Sequence, residues 1–293
     1  MFLSRTVRQW LFGCLVAGTA SGVLAVLLLG EVDATLPDGD EEGLVPVSVR
    51  LVSAVCGWTY FVCWSVSFWP QVLLNSRRKA VDGLSVDFVA LNVCGFACYA
   101  VYNCLLYLPT HVRAAYMERY EEPPGVHLND VVFAGHALVL TLVSWVQAMA
   151  YSPGGCLALD LDLTPATILF LAASFVAIMA SLPSVGPNPF LLLDVLSAVK
   201  LGSSIAKFLP QLLLNRERRS TTGFSLAQVV LDAAGSVLSV AQLLLDAAVL
   251  RSLRVCLGNP AKLGLGLVSL SYDAVLFHQH LVYDDEDVDE PLL

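Results

Sequence analysis

The sequence contains few charged residues. Only 14% of its 293 residues are Asp, Glu, Lys or Arg, whereas 57% are hydrophobic and the mean hydropathy is +0.71. An average soluble domain carries about 25% charged residues, and a soluble protein this apolar could not cover its surface with polar groups. The composition therefore excludes a soluble enzyme, a secreted disulfide scaffold and a disordered chain. Because acidic residues outnumber basic ones by 25 to 16, it also excludes the basic surface of a nucleic-acid-binding protein.

The sequence also lacks the motifs of common enzymes and metal sites. It contains no HExxH, GxSxG or P-loop sequence, and no GxGxxG that follows a strand. Most of the eight cysteines lie inside apolar stretches, where cysteine acts as a small hydrophobic residue, and none has zinc-ligand spacing in a loop. We therefore expect no enzymatic activity, no bound metal and no organic cofactor.

What the sequence does contain is apolar stretches of about 20 residues, the length at which a helix crosses a ~30 Å hydrocarbon core. Transmembrane β-strands would instead show alternating segments of roughly 10 residues. The pattern predicts an all-α polytopic membrane protein. Its seven predicted spans are residues 49–72, 85–108, 129–151, 164–183, 189–213, 225–249 and 262–283.

An additional apolar stretch, residues 10–29, precedes these spans. It follows Arg5 and Arg8 and is typical of a signal sequence, with small residues that permit cleavage after Ala20 or Ala25. It is also long enough to remain as an anchor. Residues 1–30 are therefore predicted to be either a signal peptide or a signal anchor.

The charges that remain are unevenly placed. Basic clusters follow the first and fifth spans, at residues 77–79 and 216–219, and the positive-inside rule puts both in the cytosol, although five other basic residues fall on the opposite side. Residues 31–48 are then a short acidic lumenal segment, and residues 284–293 are a cytosolic tail. Acidic runs in these two segments hold six carboxylates each, 12 of the 25 in the chain, and we expect them to be solvated.

A repeat with an offset of 140 residues runs through the chain. Pro70-Gln71 recurs as Pro210-Gln211, and the match extends through the following Asn, the basic turn and a Gly-x-Ser sequence. We predict two parallel three-helix repeats, residues 49–151 and 189–283, joined by a cytosolic loop and a linker helix in residues 152–188. Because proline removes a helix hydrogen bond, we expect each Pro-Gln pair to bend its helix and act as a hinge.

Polar side chains within the predicted spans indicate a substrate site, because such residues are costly in a membrane. Lys207 lies three residues before Pro210, and Asp232 lies in the sixth span with Gln228 one turn before it. By the repeat, Asp232 corresponds to Asn92. We interpret this set as a cradle for a zwitterionic substrate, which needs an acceptor for its ammonium and a donor for its carboxylate. The alternative is a structural ion pair between Lys207 and Asp232.

Two further carboxylates, Asp130 and Asp273, are predicted near the outer ends of their helices. A partly desolvated carboxylate is suited to taking up a proton from an acidic compartment. For Asp130, a role as a helix N-cap is an equal alternative. For Asp273, which lies deeper in its span than Asp130, we favour proton binding.

The residues around both Pro-Gln pairs closely resemble the cystinosins, the lysosomal proton–cystine symporters among the PQ-loop transporters. The similarity covers about residues 49–283, and its motifs are residues 57–92, 129–141, 200–211, 220–225, 230–232 and 258–266.

The resemblance implies seven helices, a lumenal N-terminus of the core, a cytosolic C-terminus and export of cystine from a lysosome or vacuole by symport with protons. It makes Asn92, Lys207 and Asp232 substrate contacts and Tyr60 and Trp64 pocket walls. It also makes Asp232 a proton-linked carboxylate, together with the two carboxylates described above. Protons are then the coupling ion, and membrane lipid surrounds the helices.

The sequence departs from the family at two places. Gln228 stands where the animal cystinosins carry Asn, and its extra methylene shifts the predicted pocket. The chain ends in an acidic di-leucine sequence that resembles a DxxLL sorting signal for cytosolic adaptors, formed by Asp289, Leu292 and Leu293. A chance apolar terminus is the alternative.

Two other functions remain open on the sequence alone. One is an exporter of another amino acid, such as lysine or arginine. Lys207 argues against a dicationic substrate because like charges would meet. The other is a non-transporting cargo receptor with the same fold, which would bind a ligand without carrying it.

Overall fold

The computed structural model describes residues 4–29, 47–121, 126, 128–152, 163–184, 188–249 and 260–283. Regular structure in these ranges is helical throughout. The helices are α1 (Arg5–Leu29), α2 (Val47–Arg78), α3 (Val86–Tyr107), α4 (Thr110–Tyr120), α5 (Leu128–Tyr151), α6 (Pro165–Ser181), α7 (Phe190–Ala206), α8 (Phe208–Arg218), α9 (Leu226–Val249) and α10 (Pro260–Tyr283).

Five helices of the described chain are long and apolar enough to cross a membrane. The candidate spans are Leu51–Arg78, Val86–Tyr107, Asp130–Tyr151, Pro165–Ser184 and Leu226–Leu245. They correspond to predicted spans one to four and six, which confirms the all-α, polytopic prediction. The count of seven stays a prediction. Predicted span five is divided between α7 and α8, and predicted span seven corresponds to α10.

Helix α4 was not predicted. It begins directly after Pro109, which serves as its N-cap residue, and ends at Glu121 in a left-handed conformation. Its sequence is polar and lacks the apolar run on which the prediction of spans relied. Only Val112 is buried on it, and this side chain packs with Leu106 and Leu193.

The two turns that follow the Pro-Gln helices have the same backbone conformation. In the first turn, Lys79 has φ 51° and Gly83 has φ 106°; in the second, Arg219 has φ 52° and Gly223 has φ 96°. The basic residue ends the helix in the left-handed conformation that is common at helix C-termini. The glycine is required because its φ, 106° or 96°, lies beyond the small left-handed region at about 50–70° that residues with a side chain can occupy. The 140-residue repeat is thus a structural repeat at this point.

The chain forms two compact units. Unit 1 comprises Met1–Gln71 and Ser220–Leu293, and unit 2 comprises Val72–Arg219. The units do not coincide with the sequence repeats. Unit 1 contains most of α2, from the first repeat, with α9 and α10 from the second. Unit 2 contains α3 and α5 from the first repeat with α7 and α8 from the second.

In unit 1, α9 packs along α10, and α1 packs against α9. The core includes Cys14, Cys63 and Leu231, with partly buried residues from α1, α2 and α9 around them. The cysteines pack as small hydrophobic residues there, as expected from the sequence.

In unit 2, α3 is the central helix and contacts α4, α5, α6, α7 and α8. One core cluster joins Cys98 of α3 to Leu192, Leu196 and Val199 of α7. At the start of α3, the buried carboxylate of Asp87 accepts hydrogen bonds from the N–H (2.9 Å) and the hydroxyl (3.2 Å) of Thr164, the N-cap residue of α6. One carboxylate therefore stabilises the first turns of two helices, where negative charge is favoured.

We expect substitution of Gly223 by Ala to destabilise the protein, because its φ of 96° costs an L-residue roughly 1–2 kcal/mol. The matched control is Gly135→Ala in α5, where an added Cβ would meet nothing within 4 Å. The apparent melting temperature of each variant in detergent measures the effect. A Gly223→Ala protein that melts as high as the control would contradict the argument.

Candidate functional site

Trp64 and Tyr60 form an aromatic pair on α2 in unit 1. Their ring centroids lie 5.1 Å apart at an interplanar angle of 62°. The Trp64 indole Nε1–H donates to the backbone carbonyl of Asp232 on α9, at 3.2 Å. Gly235 permits this approach, because a Cβ there would lie 2.5 Å from Cδ1 of the Trp64 ring. Two residues predicted as pocket walls and one predicted substrate contact are thus brought together in unit 1.

The Asp232 side chain is half-buried and is held by a residue that the sequence interpretation missed. Ser269, on α10, donates its hydroxyl hydrogen to Oδ2 of Asp232. A hydrogen bond to a charged group contributes about 1.5–3 kcal/mol, so Ser269 sets the orientation of the carboxylate. One signal could have identified Ser269, since it lies one helical turn before the predicted site residue Asp273, on the same face of the helix.

Asp273 lies near the middle of α10, not near its end as the sequence suggested. Only 2% of its surface is exposed. Gln228 is half-buried in the first turn of α9, where its backbone N–H lies 3.4 Å from the Ser225 hydroxyl. It precedes Asp232 by one turn, on the same face of α9. Unit 1 therefore holds a row of polar groups along facing helices α9 and α10.

Lys207 lies in unit 2, among aromatic rings. Its Nζ is 4.5 Å from the ring centroid of Phe208, 5.7 Å from that of Phe88 and 6.0 Å from that of Phe96. Asn92 is buried on α3 between Phe88 and Phe96, one turn from each. The contacts between the Lys207 ammonium group and the three rings stabilise its charge by cation–π attraction. The aromatic environment of Lys207 was not predicted.

A second lysine extends this arrangement along α7. The Nζ of Lys200 lies 3.9 Å from the ring centroid of Phe96 and 5.5 Å from that of Tyr99. Tyr99 in turn packs edge-on against Phe133 of α5, with centroids 6.5 Å apart. Asp130, the predicted proton site of this unit, is half-buried in the first turn of α5, two residues after the helix begins at Leu128, so it is not the N-cap residue considered as its alternative. Its role in proton binding stays a prediction.

The two Pro-Gln glutamines perform a function that the sequence interpretation did not foresee. In unit 1, Gln71 donates from Nε2 to the Gly223 carbonyl (3.0 Å), and its Oε1 accepts from the Ser225 N–H (2.8 Å). Each of these residues is buried. The glutamine of the first repeat therefore holds the Gly-x-Ser turn of the second.

Unit 2 contains the reciprocal arrangement. Gln211 donates from Nε2 to the Gly83 carbonyl (2.7 Å) and to Oδ1 of Asn215 (2.9 Å), and its Oε1 accepts from the Ser85 N–H (2.8 Å). The strict recurrence of Gln and Gly-x-Ser at one offset was the only signal of this pairing in the sequence.

The two prolines lie in different helical contexts. Pro70 lies inside the continuous helix α2, whereas Pro210 lies in the first turn of α8, after a one-residue interruption at Lys207. Lys207 keeps helical dihedral angles, φ −57° and ψ −35°, so the chain continues in a helical path. The hinge role of both prolines stays a prediction.

Two remaining predictions concern sorting and metals. The sorting residues Asp289, Leu292 and Leu293 lie outside the described residues. Within the part of the chain that the structure describes, no group of three or more His, Cys, Asp or Glu residues is placed to hold a metal ion.

Substitution of Gln211 by Leu keeps the side-chain size but leaves the Gly83 carbonyl and the Ser85 N–H buried without their partner. Each such group costs about 1–3 kcal/mol, so we expect the melting temperature in detergent to fall by roughly 5 °C or more. Gln9→Leu, at an exposed glutamine on α1, is the control and should change little. An unchanged melting temperature in Gln211→Leu would show that the turn does not depend on these bonds.

The chain matches a family model described as PQ loop repeat at residues 52–112 and 192–251. Both matched segments begin 18 residues before a Pro-Gln pair and include the turn that follows it. The two sequence repeats are therefore members of a known repeat family.

Curated relatives extend the similarity over most of the chain. A cystinosin homolog from Dictyostelium discoideum is 38% identical over 238 residues, which cover 80% of this chain and 82% of that protein. Cystinosin from Drosophila melanogaster is 40% identical over 237 residues, 79% of this chain and 58% of that protein. A more distant relative, the cystine transporter of Saccharomyces cerevisiae (strain ATCC 204508 / S288c), is 26% identical over 248 residues, 78% of this chain and 93% of that protein. The chain belongs to the cystinosin family of PQ-loop repeat proteins.

Proposed function

We propose that this chain is a symporter that exports cystine together with protons from the lumen of a lysosome or vacuole to the cytosol, by alternating access. The observation that carries the proposal is Asp232, a carboxylate within the candidate span Leu226–Leu245 that is held by Ser269 and lies beside Trp64. A carboxylate at such a position is costly and is a functional residue by default. The yeast relative named a cystine transporter supports the choice of substrate.

The chemistry of cystine fits the polar groups of each unit. Cystine carries two ammonium and two carboxylate groups and has no net charge. In unit 1, the Asp232 carboxylate and the amide of Gln228 are acceptors suited to an ammonium group, and the rings of Tyr60 and Trp64 attract cations. In unit 2, the ammonium of Lys207 is a donor suited to a carboxylate, and Asn92 supplies an amide.

Proton coupling follows from the carboxylates. Because the substrate is neutral, movement of cystine alone is insensitive to a proton gradient. A carboxylate that takes up a proton with the substrate and releases it on the other side couples the two movements. Asp232, Asp273 and Asp130 are the proposed proton-linked groups. Asp273 is nearly fully buried.

The remaining topological predictions belong to the same proposal. The core begins in the lumen and ends in the cytosol, with seven membrane-spanning helices. The C-terminal residues Asp289, Leu292 and Leu293 bind cytosolic sorting adaptors that direct the protein to the lysosomal or vacuolar membrane.

Uptake of labelled cystine into proteoliposomes that contain the purified chain tests the proposal directly. With the pH gradient oriented to drive symport, we expect cystine to accumulate. The accumulation should collapse when an ionophore dissipates the gradient, and empty liposomes serve as the control. Uptake of cystine that does not respond to the gradient would reject proton coupling.

Competition experiments distinguish the alternatives. Excess unlabelled cystine should block uptake, whereas lysine, arginine and sugars should not. Inhibition by lysine or arginine would indicate a cationic amino-acid exporter. Binding of cystine without any uptake would indicate a receptor.

Variants of the Asp232 site provide a second test. Asp232→Asn should abolish gradient-driven uptake while leaving the melting temperature close to that of the unmodified chain. Ser269→Ala should lower uptake by about tenfold, because it removes one hydrogen bond to the charged group. Ser271→Ala is the matched control, since this exposed serine on the same helix bonds only to the carbonyl of Leu267 in its own turn. Wild-type rates in Asp232→Asn would overturn the assignment of this residue.

A further inference from the structure

In unit 1, helix α1 packs so closely on α2 that two of its glycines lie against the α2 backbone. A Cβ atom at Gly18 would lie 2.5 Å from Cα of Thr59, and one at Gly22 would lie 2.8 Å from Cα of Val55. The two glycines are four residues apart and share one face of α1. Glycines with this spacing allow two membrane helices to approach closely and pack by van der Waals contact. No larger residue fits at either position unless the helices separate.

The same face of α1 contributes to the core of unit 1. Cys14 lies one turn before Gly18 and is 4% exposed. It packs with Cys63 of α2 and Leu231 of α9, both of which are fully buried. Cys63 and Leu231 directly precede Trp64 and Asp232, the two residues joined at the candidate site. The contact with α1 therefore lies next to the backbone that positions that site.

The opposite face of α1 is apolar and exposed. Phe12 is 71% exposed, Val16 51% and Leu24 54%. An exposed apolar stripe of this kind suits lipid, whereas the glycine and cysteine face suits a neighbouring helix. The helix thus has the two different faces of a peripheral helix in a membrane bundle.

Removal of this stretch as a signal peptide would disrupt the arrangement. Cleavage after Ala20 or Ala25 takes away Cys14 and Gly18, and cleavage after Ala25 also takes away Gly22. The fully buried side chains of Cys63 and Leu231 would then lose their partner on α1. Helix α1 also continues past both cleavage positions, to Leu29.

We infer that α1 is retained in the mature protein as a permanent helix of unit 1, packed through Gly18 and Gly22 on α2, where it supports the segment that carries Trp64. This inference goes beyond the proposed function, because it holds whatever the substrate is. It also resolves the choice between signal peptide and anchor in favour of an anchor that has become part of the fold.

The first experiment measures the intact mass of the full chain purified from membranes of a eukaryotic host, with N-terminal sequencing. We expect a mass that includes α1. A mature chain that begins after residue 20 or 25 would overturn the inference. Neither readout depends on transport, so failure of the proposed cystine activity leaves this test unaffected.

The second experiment tests the contact between α1 and α2 by cross-linking. Cys14 is the only cysteine before Cys56 in the sequence, so any cross-link between an N-terminal fragment and the remainder must involve Cys14. A protease site inserted within residues 31–46 separates the two fragments after treatment with a short thiol cross-linker. We expect the fragments to stay linked, and to separate when Cys63 is replaced by Ser. Separation without that replacement, or a link that survives it, would contradict the packing.

The third experiment tests the glycines. Gly18→Leu combined with Gly22→Leu should force the helices apart and lower the melting temperature by about 5 °C or more. Gly13→Leu is the matched control on the same helix, because a Cβ there meets nothing within 4 Å. If the double variant does not fold, Gly22→Ala alone provides a milder step in the same direction. Equal melting temperatures for the glycine-face variants and the control would refute the close contact.

Discussion

Two buried glutamine side chains hold the turns on which the rest of the structure depends. A primary amide offers an acceptor and a donor side by side, which match the N–H and the C=O of a Gly-x-Ser turn. Gln71 pairs in this way with Gly223 and Ser225, and Gln211 pairs with Gly83 and Ser85. The serine N–H precedes a helix and has no partner within it, so a buried turn of this type requires one from elsewhere. The glutamines thus hold in place the turns that lead into α3 and α9, the helices that carry Asn92 and Asp232.

The exchange of partners between the repeats follows from this pairing. Because each glutamine binds the turn of the other repeat, the first helix of one repeat packs with the second helix of the other inside a single unit. The close contacts around Gly95 and Gly235 repeat the pattern. A Cβ at Gly235 would collide with Trp64 of the first repeat, and one at Gly95 would collide with Ser203 of the second. The units are therefore assembled by exchange, although the sequence repeats are contiguous.

Composition and recurrence along the sequence were enough to predict the long apolar helices, the turns and the candidate residues. Gly83 and Gly223, the two glycines with positive φ, are matched by the 140-residue repeat. The exchange itself was not predictable in this way. A glutamine that bonds to the turn of its own repeat and a glutamine that bonds to the turn of the other repeat give the same recurrence in the sequence. Ser269 was missed for a related reason: its importance comes from α9 facing α10, and a serine in an apolar helix has no distinguishing pattern. Helix α4 was missed because it is polar.

The exchange also decides the surroundings of the two charges that distinguish the second repeat from the first. In unit 1 the backbone carbonyl of Asp232 accepts from Trp64, which packs on Tyr60, and in unit 2 Lys207 lies over Phe88 and Phe96. Aromatic residues of the first repeat therefore lie beside both residues, although the ring nearest to Lys207 is Phe208 of its own repeat, and Trp64 contacts the backbone of Asp232. If the repeats packed only within themselves, the charges and these rings would lie in separate bundles. The glutamine pairing thus brings residues that differ between the two copies next to aromatic residues of the other copy.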